Sequence, residues 1–303
     1  MSVPIARRNA SLEGRYRIER ELGGGGIAPV YVAAEQRHEL KVGRNLLLAI
    51  AVALSASCGP TPPGQASAST PSRQQIDFPR ARRRMVEEQI EARGVSDSRV
   101  LEAMRRVPRH EYVPAEYRPD AYSDRPLPIG LGQTISQPYI VALMTELVQP
   151  EPGDRLLEIG TGSGYQAAVA AELVSEVYSI EIIPELARSA AERLERLGLS
   201  NVFVRAGDGY LGWPEQSPFD GILVTAGAEH IPQPLVEQLK PGARMIIPVG
   251  DQSTFQILKV VEKLPGGEVE IRDIIPVRFV PFRRNEQDST GAVIDQRRGD
   301  RFP

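Results

Sequence analysis

Apolar and polar positions follow two different periods in the part of the chain that begins at residue 76. Apolar runs of strand length occur at 155–159, 177–182, 202–205, 221–225 and 245–249. Segments with apolar residues three and four positions apart lie between several of these runs, at 165–174, 184–197 and 232–240. Because strands that alternate with helices form parallel sheets, the pattern predicts an α/β fold with a doubly wound, mostly parallel sheet.

Helical patterns also precede the sheet. Met85 and Ile90 lie on one apolar face of a segment that stops at Gly94. A second helical segment follows, with Ser96 or Asp97 as its expected N-cap. Ser and Asp accept hydrogen bonds from the free N–H groups at a helix start, and Gly readily ends a helix. The sequence therefore predicts two N-terminal helices.

The pattern changes after the last parallel strand. Two extended runs flank Pro265-Gly266-Gly267, which predicts a C-terminal antiparallel hairpin that closes the sheet. Residues 284–303 are polar and are expected to form a disordered tail. Residues 76–283 are thus predicted to be one compact domain.

The first 42 residues resemble the opening of a bacterial serine/threonine protein kinase. Gly23, Gly25, Ala28 and Val30 fit the glycine-rich loop, and Lys41 stands roughly where the lysine of the third strand is found. No catalytic loop of the H-R-D type and no D-F-G sequence follow, so phosphoryl transfer lacks its base and its metal ligand. We expect a kinase-like remnant at 1–42 and not an independent domain.

Residues 43–75 have the layout of a secretory or lipoprotein signal, displaced from the N-terminus. Arg44 precedes the apolar run 46–54, and small residues follow as far as Cys58. The run is too short to span a membrane. Two interpretations stay open: an exported or lipid-anchored product that begins near Val42, or a fortuitous apolar patch in a disordered leader. The Pro/Ser/Ala-rich stretch 59–72 is a linker in either case.

Composition narrows the possible functions. The net charge of -3 gives no reason to expect a nucleic-acid partner. The single cysteine, Cys58, excludes an intramolecular disulfide and metal sites built from several cysteines. His38, His110 and His230 lie far apart without metal-ligand spacing, so no metal site is predicted, and His230 is interpreted as a surface residue.

A glycine-rich loop, "LEIGTGSGY", follows the first parallel strand. The dinucleotide pattern G-x-G-x-x-G would require glycine where Tyr165 stands, and no G-K-[ST] sequence is present, so a phosphate ligand is disfavoured. The alternating glycines after the acidic Glu158 resemble the first motif of class I S-adenosylmethionine-dependent methyltransferases. That cofactor has no phosphate, and its methionine part must lie against bare backbone.

Two acids follow the next two strands. Glu181 can accept both hydroxyls of a ribose, and Asp208 can accept the amine of adenine. Taken singly, Glu181 could be an exposed strand end and Asp208 a turn residue. Because ligands of parallel sheets bind at the carboxyl ends of the strands, the loop and both acids together favour a methyltransferase with a Rossmann-like sheet. The Asn/Asp-Pro-Pro-aromatic motif of many nucleobase methyltransferases is absent, which disfavours a base as substrate.

The segment "LPIGLGQTISQP" precedes another predicted helix, with Pro138 just inside its start. Ser136 is the natural N-cap, and capping alone explains it. The same geometry also suits an anion site, in which Thr134 and Ser136 hydroxyls join the positive end of the helix to hold a substrate carboxylate. An ionised carboxylate is already nucleophilic, so methyl transfer to it needs alignment and no general base.

Six motifs together resemble the bacterial protein-L-isoaspartate O-methyltransferase family: "VPRHEYVP", "LPIGLGQTISQP", "LEIGTGSGYQAAV", "GDGYLGWP", "PFDGILVTA" and "VRFVPF". They cover residues 82–283. The resemblance implies transfer of a methyl group from S-adenosylmethionine to the carboxylate of isoaspartyl residues in damaged proteins and peptides. The ester then closes to a succinimide, which reopens partly to aspartate.

The resemblance also implies site residues by motif. The catalytic residues would be Ser136 and Thr134. The cofactor would be bound by Glu158, Gly160, Thr161, Gly162, Ser163, Gly164, Tyr165, Glu181, Asp208 and Gly209. The substrate would be bound by Gln133, Ile135, Gln137, Val277, Arg278, Phe279 and Val280. The loop "AGAEHIP" departs from the family, which often has prolines there, so no role is assigned to it.

Other functions and settings stay open at this stage. A class I methyltransferase that acts on a small-molecule carboxylate is the alternative enzyme. The non-enzymatic alternative is a lipoprotein or kinase-derived interaction module that has kept an inactive methyltransferase fold. Such a protein would be expected to have lost Ser136, Asp208 or one of the glycines, and all of these are present. The family implies a cytoplasmic enzyme, whereas residues 44–58 suggest export. No stable partner is evident, and a monomer is expected.

Overall fold

The computed structural model describes residues 16–25, 28–35, 76–251 and 253–284. The chain divides into two compact units, residues 1–70 and 71–303. In the first unit, β1 (Tyr16–Gly25) and β2 (Ala28–Glu35) pair antiparallel. Lys41, the signal-like segment 44–58 and the polar tail beyond Arg284 lie outside the described residues.

A seven-stranded sheet organises the second unit, preceded by a small hairpin of β3 (Leu127–Gly130) and β4 (Gln133–Ile135). The strands of the large sheet are β5 (Arg155–Ile159), β6 (Glu176–Glu181), β7 (Val202–Ala206), β8 (Phe219–Val224), β9 (Leu239–Val249), β10 (Gln256–Lys263) and β11 (Val269–Val277). Their spatial order is β11-β10-β9-β8-β5-β6-β7. The predicted mostly parallel sheet is confirmed.

Strand β5 lies at the point where the connections reverse direction. It pairs in parallel with β6 on one side and with β8 on the other. The next parallel pairs, β6 with β7 and β8 with β9, extend the sheet outward in both directions. The predicted hairpin is also confirmed, because β10 and β11 add antiparallel strands beyond β9. Such a reversal leaves a crevice at the carboxyl ends of β5 and β8.

Six α-helices are described in this unit: α1 (Phe78–Arg84), α2 (Ser98–Arg106), α3 (Pro138–Val148), α4 (Tyr165–Ala171), α5 (Pro184–Arg196) and α6 (Gln233–Glu237). The predicted 232–240 helix is shorter than expected. Strand β9 already begins at Leu239, because that residue pairs with Phe219 across a bulge in β8. Pairing with a neighbouring strand therefore overrides the local helical pattern.

The two predicted N-terminal helices are present with one difference. After α1 the helix continues through a π-helical stretch, Met85–Ile90, and ends in a 3₁₀ turn before Gly94. Gly94 adopts the left-handed conformation expected of a helix stop. Asp97 is the N-cap of α2, and its carboxylate accepts from the N–H groups of Arg99 and Val100.

Apolar residues form two layers of core, one on each face of the sheet. On β5, Leu156 belongs to the layer beneath α1 to α5, and Leu157 to the layer on the opposite face. Leu223 and Ile222 divide in the same way on β8. Successive strand residues point to opposite faces, so burial on both faces explains the continuous apolar runs in the sequence.

Candidate active site

A cleft of about 760 Å³, open to solvent, lies at the carboxyl ends of the parallel strands. Its walls come from residues 133–136 with Val141, 159–163 with Tyr165 and Gln166, 180–183, Gly209, Thr225 with Ala226, and 280–283.

Most of the predicted site residues line this cleft. They are Gln133, Thr134, Ile135, Ser136, Gly160, Thr161, Gly162, Ser163, Tyr165, Glu181, Gly209 and Val280. The others lie outside the lining: Gln137, Glu158, Gly164, Asp208, Val277, Arg278 and Phe279. Members of all three predicted groups therefore meet in one place, although seven of the 19 residues lie outside the lining.

The glycine loop is pressed against the end of β8. Gly160 has φ +96°, and a Cβ atom placed there would lie 2.6 Å from the Thr225 hydroxyl oxygen. That hydroxyl donates to the carbonyl oxygens of Gly160 and Ile159, at 2.7 and 3.0 Å. Both the left-handed backbone and the close contact require glycine at this position.

Glu181 fixes the entrance to the glycine loop. One carboxylate oxygen accepts from the Gly162 N–H at 2.8 Å and the other from the Ile183 N–H at 3.0 Å. The side chain is nearly buried at the end of β6 and lines the cleft. A carboxylate has about four acceptor positions, so each oxygen can still accept another hydrogen bond from a ligand.

Glu158 lies beneath the loop and not in the cleft wall. Its carboxyl group is hydrogen-bonded to the hydroxyl of Ser179, which in turn is 2.5 Å from the Thr161 hydroxyl. Glu158 is buried, and burial raises the pKa of its carboxyl group to about 8. Glu158 therefore supports Thr161 from below, while its predicted direct contact with a cofactor stays a prediction.

Asp208 stands behind Gly209 at the end of β7. One oxygen accepts from the Tyr210 N–H at 2.9 Å, which caps a short 3₁₀ turn. The other oxygen lies 3.8 Å from Nε of Arg284, whose guanidinium group stacks 3.7 Å from the centre of the Tyr210 ring. Arg284, which the sequence assigns to the polar tail, is thus packed at this end of the cleft.

Ser136 does not cap α3, so the capping interpretation is wrong. The N-cap is Gln137, which makes no hydrogen bond with its side chain. Proline at the first helical position keeps the residue before it extended, and this shifts the cap one residue later than expected. The Ser136 side chain instead lines the cleft, and its carbonyl oxygen accepts from Arg109 Nη2 at 2.7 Å.

The predicted substrate segment 277–280 leads from the end of β11 to the cleft. The Phe279 N–H donates to the buried Gln256 side chain at 2.8 Å, and Arg278 donates to the Thr254 carbonyl. The Gly227 N–H donates to the Val280 carbonyl oxygen, and the Gly227 carbonyl oxygen accepts from the Phe282 N–H. Only Val280 of the four predicted residues reaches the lining, and 281–283 continue it.

Sequence reasoning missed several residues of the lining. Thr225 and Ala226 follow the fourth parallel strand, where strand-end position alone could have indicated them. Ile183 and Phe282 are apolar and carry no motif. His230, interpreted as a surface residue, lies outside the lining with Nε2 3.3 Å from the Tyr210 hydroxyl.

Neither a cluster of metal ligands nor a helix that could span a membrane is found in the described part of the chain. Its histidine and acidic side chains form no cluster of three or more that could hold a metal ion. Its helices are all too short or too polar to cross a lipid bilayer.

Comparisons with known proteins agree on one family. The model of the family described as "Protein-L-isoaspartate(D-aspartate) O-methyltransferase (PCMT)" matches residues 80–287. Protein-L-isoaspartate O-methyltransferase 2 of Syntrophobacter fumaroxidans is 63% identical over 186 residues, which cover 61% of this chain and 75% of that protein. Protein-L-isoaspartate O-methyltransferase of Gloeobacter violaceus is 56% identical over 202 residues, or 67% of this chain and 98% of that protein.

A solved structure resembles the same region. It is that of a Plasmodium falciparum protein assigned to the same activity, in complex with S-adenosyl-L-homocysteine. The TM-score is 0.58 at 26% sequence identity, and the match covers 67% of this chain and 99% of that one.

Proposed function

The chain belongs to the protein-L-isoaspartate(D-aspartate) O-methyltransferase family, and we propose that it methylates the free carboxylate of L-isoaspartyl residues in damaged proteins and peptides. The observation that carries the proposal is the position of Thr134 and Ser136, which share one cleft with the glycine loop. A methyl donor and a carboxylate acceptor can then face each other across that cleft.

The glycine loop and Glu181 fit S-adenosylmethionine. The loop presents bare backbone to the cleft, and both oxygens of Glu181 retain acceptor capacity for ribose hydroxyls. We assign the methionine part to Gly160 and Gly162 and the adenine end to Asp208 and Gly209. Bound S-adenosylmethionine supplies a sulfonium methyl group, which a carboxylate oxygen accepts as the carbon–sulfur bond breaks and its electron pair stays on sulfur.

Thr134 and Ser136 align the carboxylate. Both residues line the cleft, and α3 begins two residues after Ser136, so the positive end of that helix is adjacent. Among the described residues, the Ser136 hydroxyl makes no hydrogen bond, so it is available to donate to a substrate oxygen. No proton must move during the transfer, which explains why alignment without a general base is sufficient.

The segment 277–280 is the proposed wall for the peptide that carries the isoaspartyl residue. Its backbone is held by hydrogen bonds with Gln256 and Gly227, so it offers a fixed surface along which a peptide can lie. The ester product closes to a succinimide, which reopens partly to normal aspartate. The methyltransferase thereby starts repair of the damaged chain.

Competition between acceptors tests the substrate class. Purified enzyme is given S-adenosylmethionine, an isoaspartyl peptide near its KM, and an excess of small carboxylic acids such as succinate or citrate. The proposal expects the peptide to keep its rate of ester formation. Strong inhibition, with methylation of the small acid in its place, would favour a small-molecule carboxyl methyltransferase.

The proposed setting of the enzyme follows the family. We propose a cytoplasmic monomer, as the family resemblance implies, without a nucleic-acid partner, because the net charge is slightly negative. Light scattering tests the monomer. N-terminal sequencing of the natural product tests the compartment, since a mature chain that begins at Cys58 would point to a lipid-anchored form.

A further inference from the structure

Arg109 is fully buried, although its guanidinium group carries a charge at neutral pH. Its exposed fraction is 0%. Burial lowers its pKa to about 10, which leaves the group protonated under physiological conditions. Arginine is almost never fully buried without a charged partner, because removing the charge from water costs several kcal/mol.

The surroundings of Arg109 hold neutral groups in place of a carboxylate. Nε donates to the Ala121 carbonyl at 2.8 Å and Nη2 to the Ser136 carbonyl at 2.7 Å, while the Tyr165 ring centre lies 4.9 Å from the guanidinium carbon. Nη1 is buried and has no hydrogen-bond partner in the described part of the chain. No carboxylate among the described residues is within 4.0 Å of the group, and Asp124, whose charge reaches it, is paired with Arg93.

This cation stands directly behind the wall of the cleft. Ser136 and Tyr165, its two contacts on that side, both line the cavity. Of these two residues, Ser136 is the one to which the substrate carboxylate has been assigned. A negative charge bound there would face a fixed positive charge through a few atoms of protein, where screening by water is weak.

We propose that Arg109 is a positioning and selectivity residue, whose uncompensated charge favours an ionised acceptor carboxylate over a neutral amide or ester in the cleft. The proposal rests on the proposed function. Two parts of the side chain have separate tasks. The planar guanidinium group donates to the Ser136 carbonyl oxygen and so holds the serine that aligns the substrate. Its positive charge attracts the acceptor carboxylate through space.

The selectivity has a consequence for turnover. Methylation converts an anionic carboxylate into a neutral ester, so the cation stabilises bound substrate more than bound product. Loss of the charge should therefore weaken binding of the anionic substrate and leave binding of the neutral ester product nearly unchanged, whereas loss of a merely structural residue would weaken both. Loss of the hydrogen bond to the Ser136 carbonyl should reduce alignment of the acceptor carboxylate and thus lower kcat.

Binding to the unsubstituted enzyme gives the first test. Calorimetry in the presence of S-adenosylhomocysteine compares an isoaspartyl peptide with the same peptide carrying isoasparagine, whose free α-amide is neutral and nearly equal in shape to the α-carboxylate. We expect the carboxylate to bind at least about tenfold more tightly. Equal affinities would overturn the proposal, whatever the variants do.

Three variants separate charge from support. Arg109→Met should raise KM about tenfold and abolish the preference for the carboxylate peptide. Arg109→Lys should retain most of that preference because the charge remains, while kcat should fall because the paired hydrogen bonds of the guanidinium group are lost. Arg106→Met removes an exposed charge from the same region and should leave both properties unchanged. If Arg109→Met prefers the carboxylate peptide as strongly as the wild-type enzyme does, the proposed role of Arg109 is refuted.

Two controls keep the outcomes distinct. Thermal unfolding and affinity for S-adenosylhomocysteine show whether each variant is folded. If Arg109→Met does not fold, the role of Arg109 is decided by the peptide comparison in the unsubstituted enzyme and in Arg109→Lys. Failure of the unsubstituted enzyme to methylate any isoaspartyl peptide would contradict the proposed function. Methylation without carboxylate preference would contradict only the role of Arg109.

Discussion

The helix beside Ser136 does not require the hydroxyl of that residue. Its position one residue ahead of the N-cap Gln137 removes the structural explanation that the sequence offered. The side chain then remains in the cleft wall, where it can act on a substrate. A residue that is polar, accessible and free of a structural duty is the expected form of a binding group.

Substitution of Ser136 tests this separation. Ser136→Ala should lower kcat/KM for an isoaspartyl peptide by about 10- to 100-fold, because the acceptor carboxylate loses alignment. The free energy of unfolding should change by less than about 0.5 kcal/mol, since no capping bond is lost. Steady-state kinetics and urea denaturation measure the two effects, with Ser96→Ala at the exposed start of α2 as a control. A large loss of stability at unchanged kinetics would return Ser136 to a structural role.

Glu158 predicts a pH dependence of stability. Its folded pKa of about 8 exceeds the ordinary value of 4.5, so the folded state keeps a proton that the unfolded chain releases between these values. Stability therefore falls as pH rises through this window, by at most about 1.4 kcal/mol per pH unit from this group. Above about pH 8 the group is ionised in both states and adds no further slope.

Glu158→Gln should flatten this dependence. Thermal unfolding between pH 5 and 8 is expected to show a smaller decline of the unfolding free energy in the variant than in the wild-type enzyme, because the neutral amide does not titrate. Glu192→Gln, on the exposed face of α5, serves as the control and should keep the wild-type slope. A Glu158→Gln variant with the wild-type slope would mean that the buried carboxyl does not retain its proton.

At the scale of elements, the cleft depends on how closely β5 and β8 approach at their ends. Thr225 joins them, because its hydroxyl donates to two carbonyl groups of the glycine loop. The sequence indicates the loop through its glycines. The position of Thr225 at a strand end could be recognised as well, but its contact with the loop could not, because residues 65 positions apart share no local pattern.

Gly160 makes this contact testable. Gly160→Ala should destabilise the fold by roughly 1–3 kcal/mol and weaken the affinity for S-adenosylhomocysteine, because the new methyl group meets Thr225 in a left-handed backbone. Gly153→Ala is the matched control, since a Cβ atom there has no neighbour within 4 Å. It should change stability by less than about 1 kcal/mol. Equal effects of the two substitutions in urea denaturation and calorimetry would contradict the role of the contact.

For the whole molecule, the sequence predicts the sheet and most of the cleft for one physical reason. Buried parallel strands are continuous apolar runs, and ligands bind at their carboxyl ends. Glu181 and the glycines can therefore be recognised from the residues that directly follow each run. Arg109 could not be recognised, because its significance arises from partners 12 and 27 residues away. The shortened α6 and the displaced cap of α3 likewise follow from strand pairing and from Pro138.

The proposed domain boundary also belongs to this scale. All described residues of the cleft lie between 133 and 283, so a protein that begins at residue 76 should contain the complete site. We predict that residues 76–303 fold and form methyl esters with kcat/KM within about twofold of the full chain. Circular dichroism and steady-state kinetics measure this. A truncated protein that folds but lacks activity would assign residues 1–75 a part in catalysis.

The central claim is most directly tested with two peptides that differ only in the linkage of one aspartyl residue. Each peptide is incubated with the enzyme and S-adenosylmethionine carrying a labelled methyl group, and the label released by mild base is measured. We predict base-labile label on the isoaspartyl peptide and none above background on the aspartyl peptide. Equal labelling of both peptides, or label on neither, would contradict the assignment.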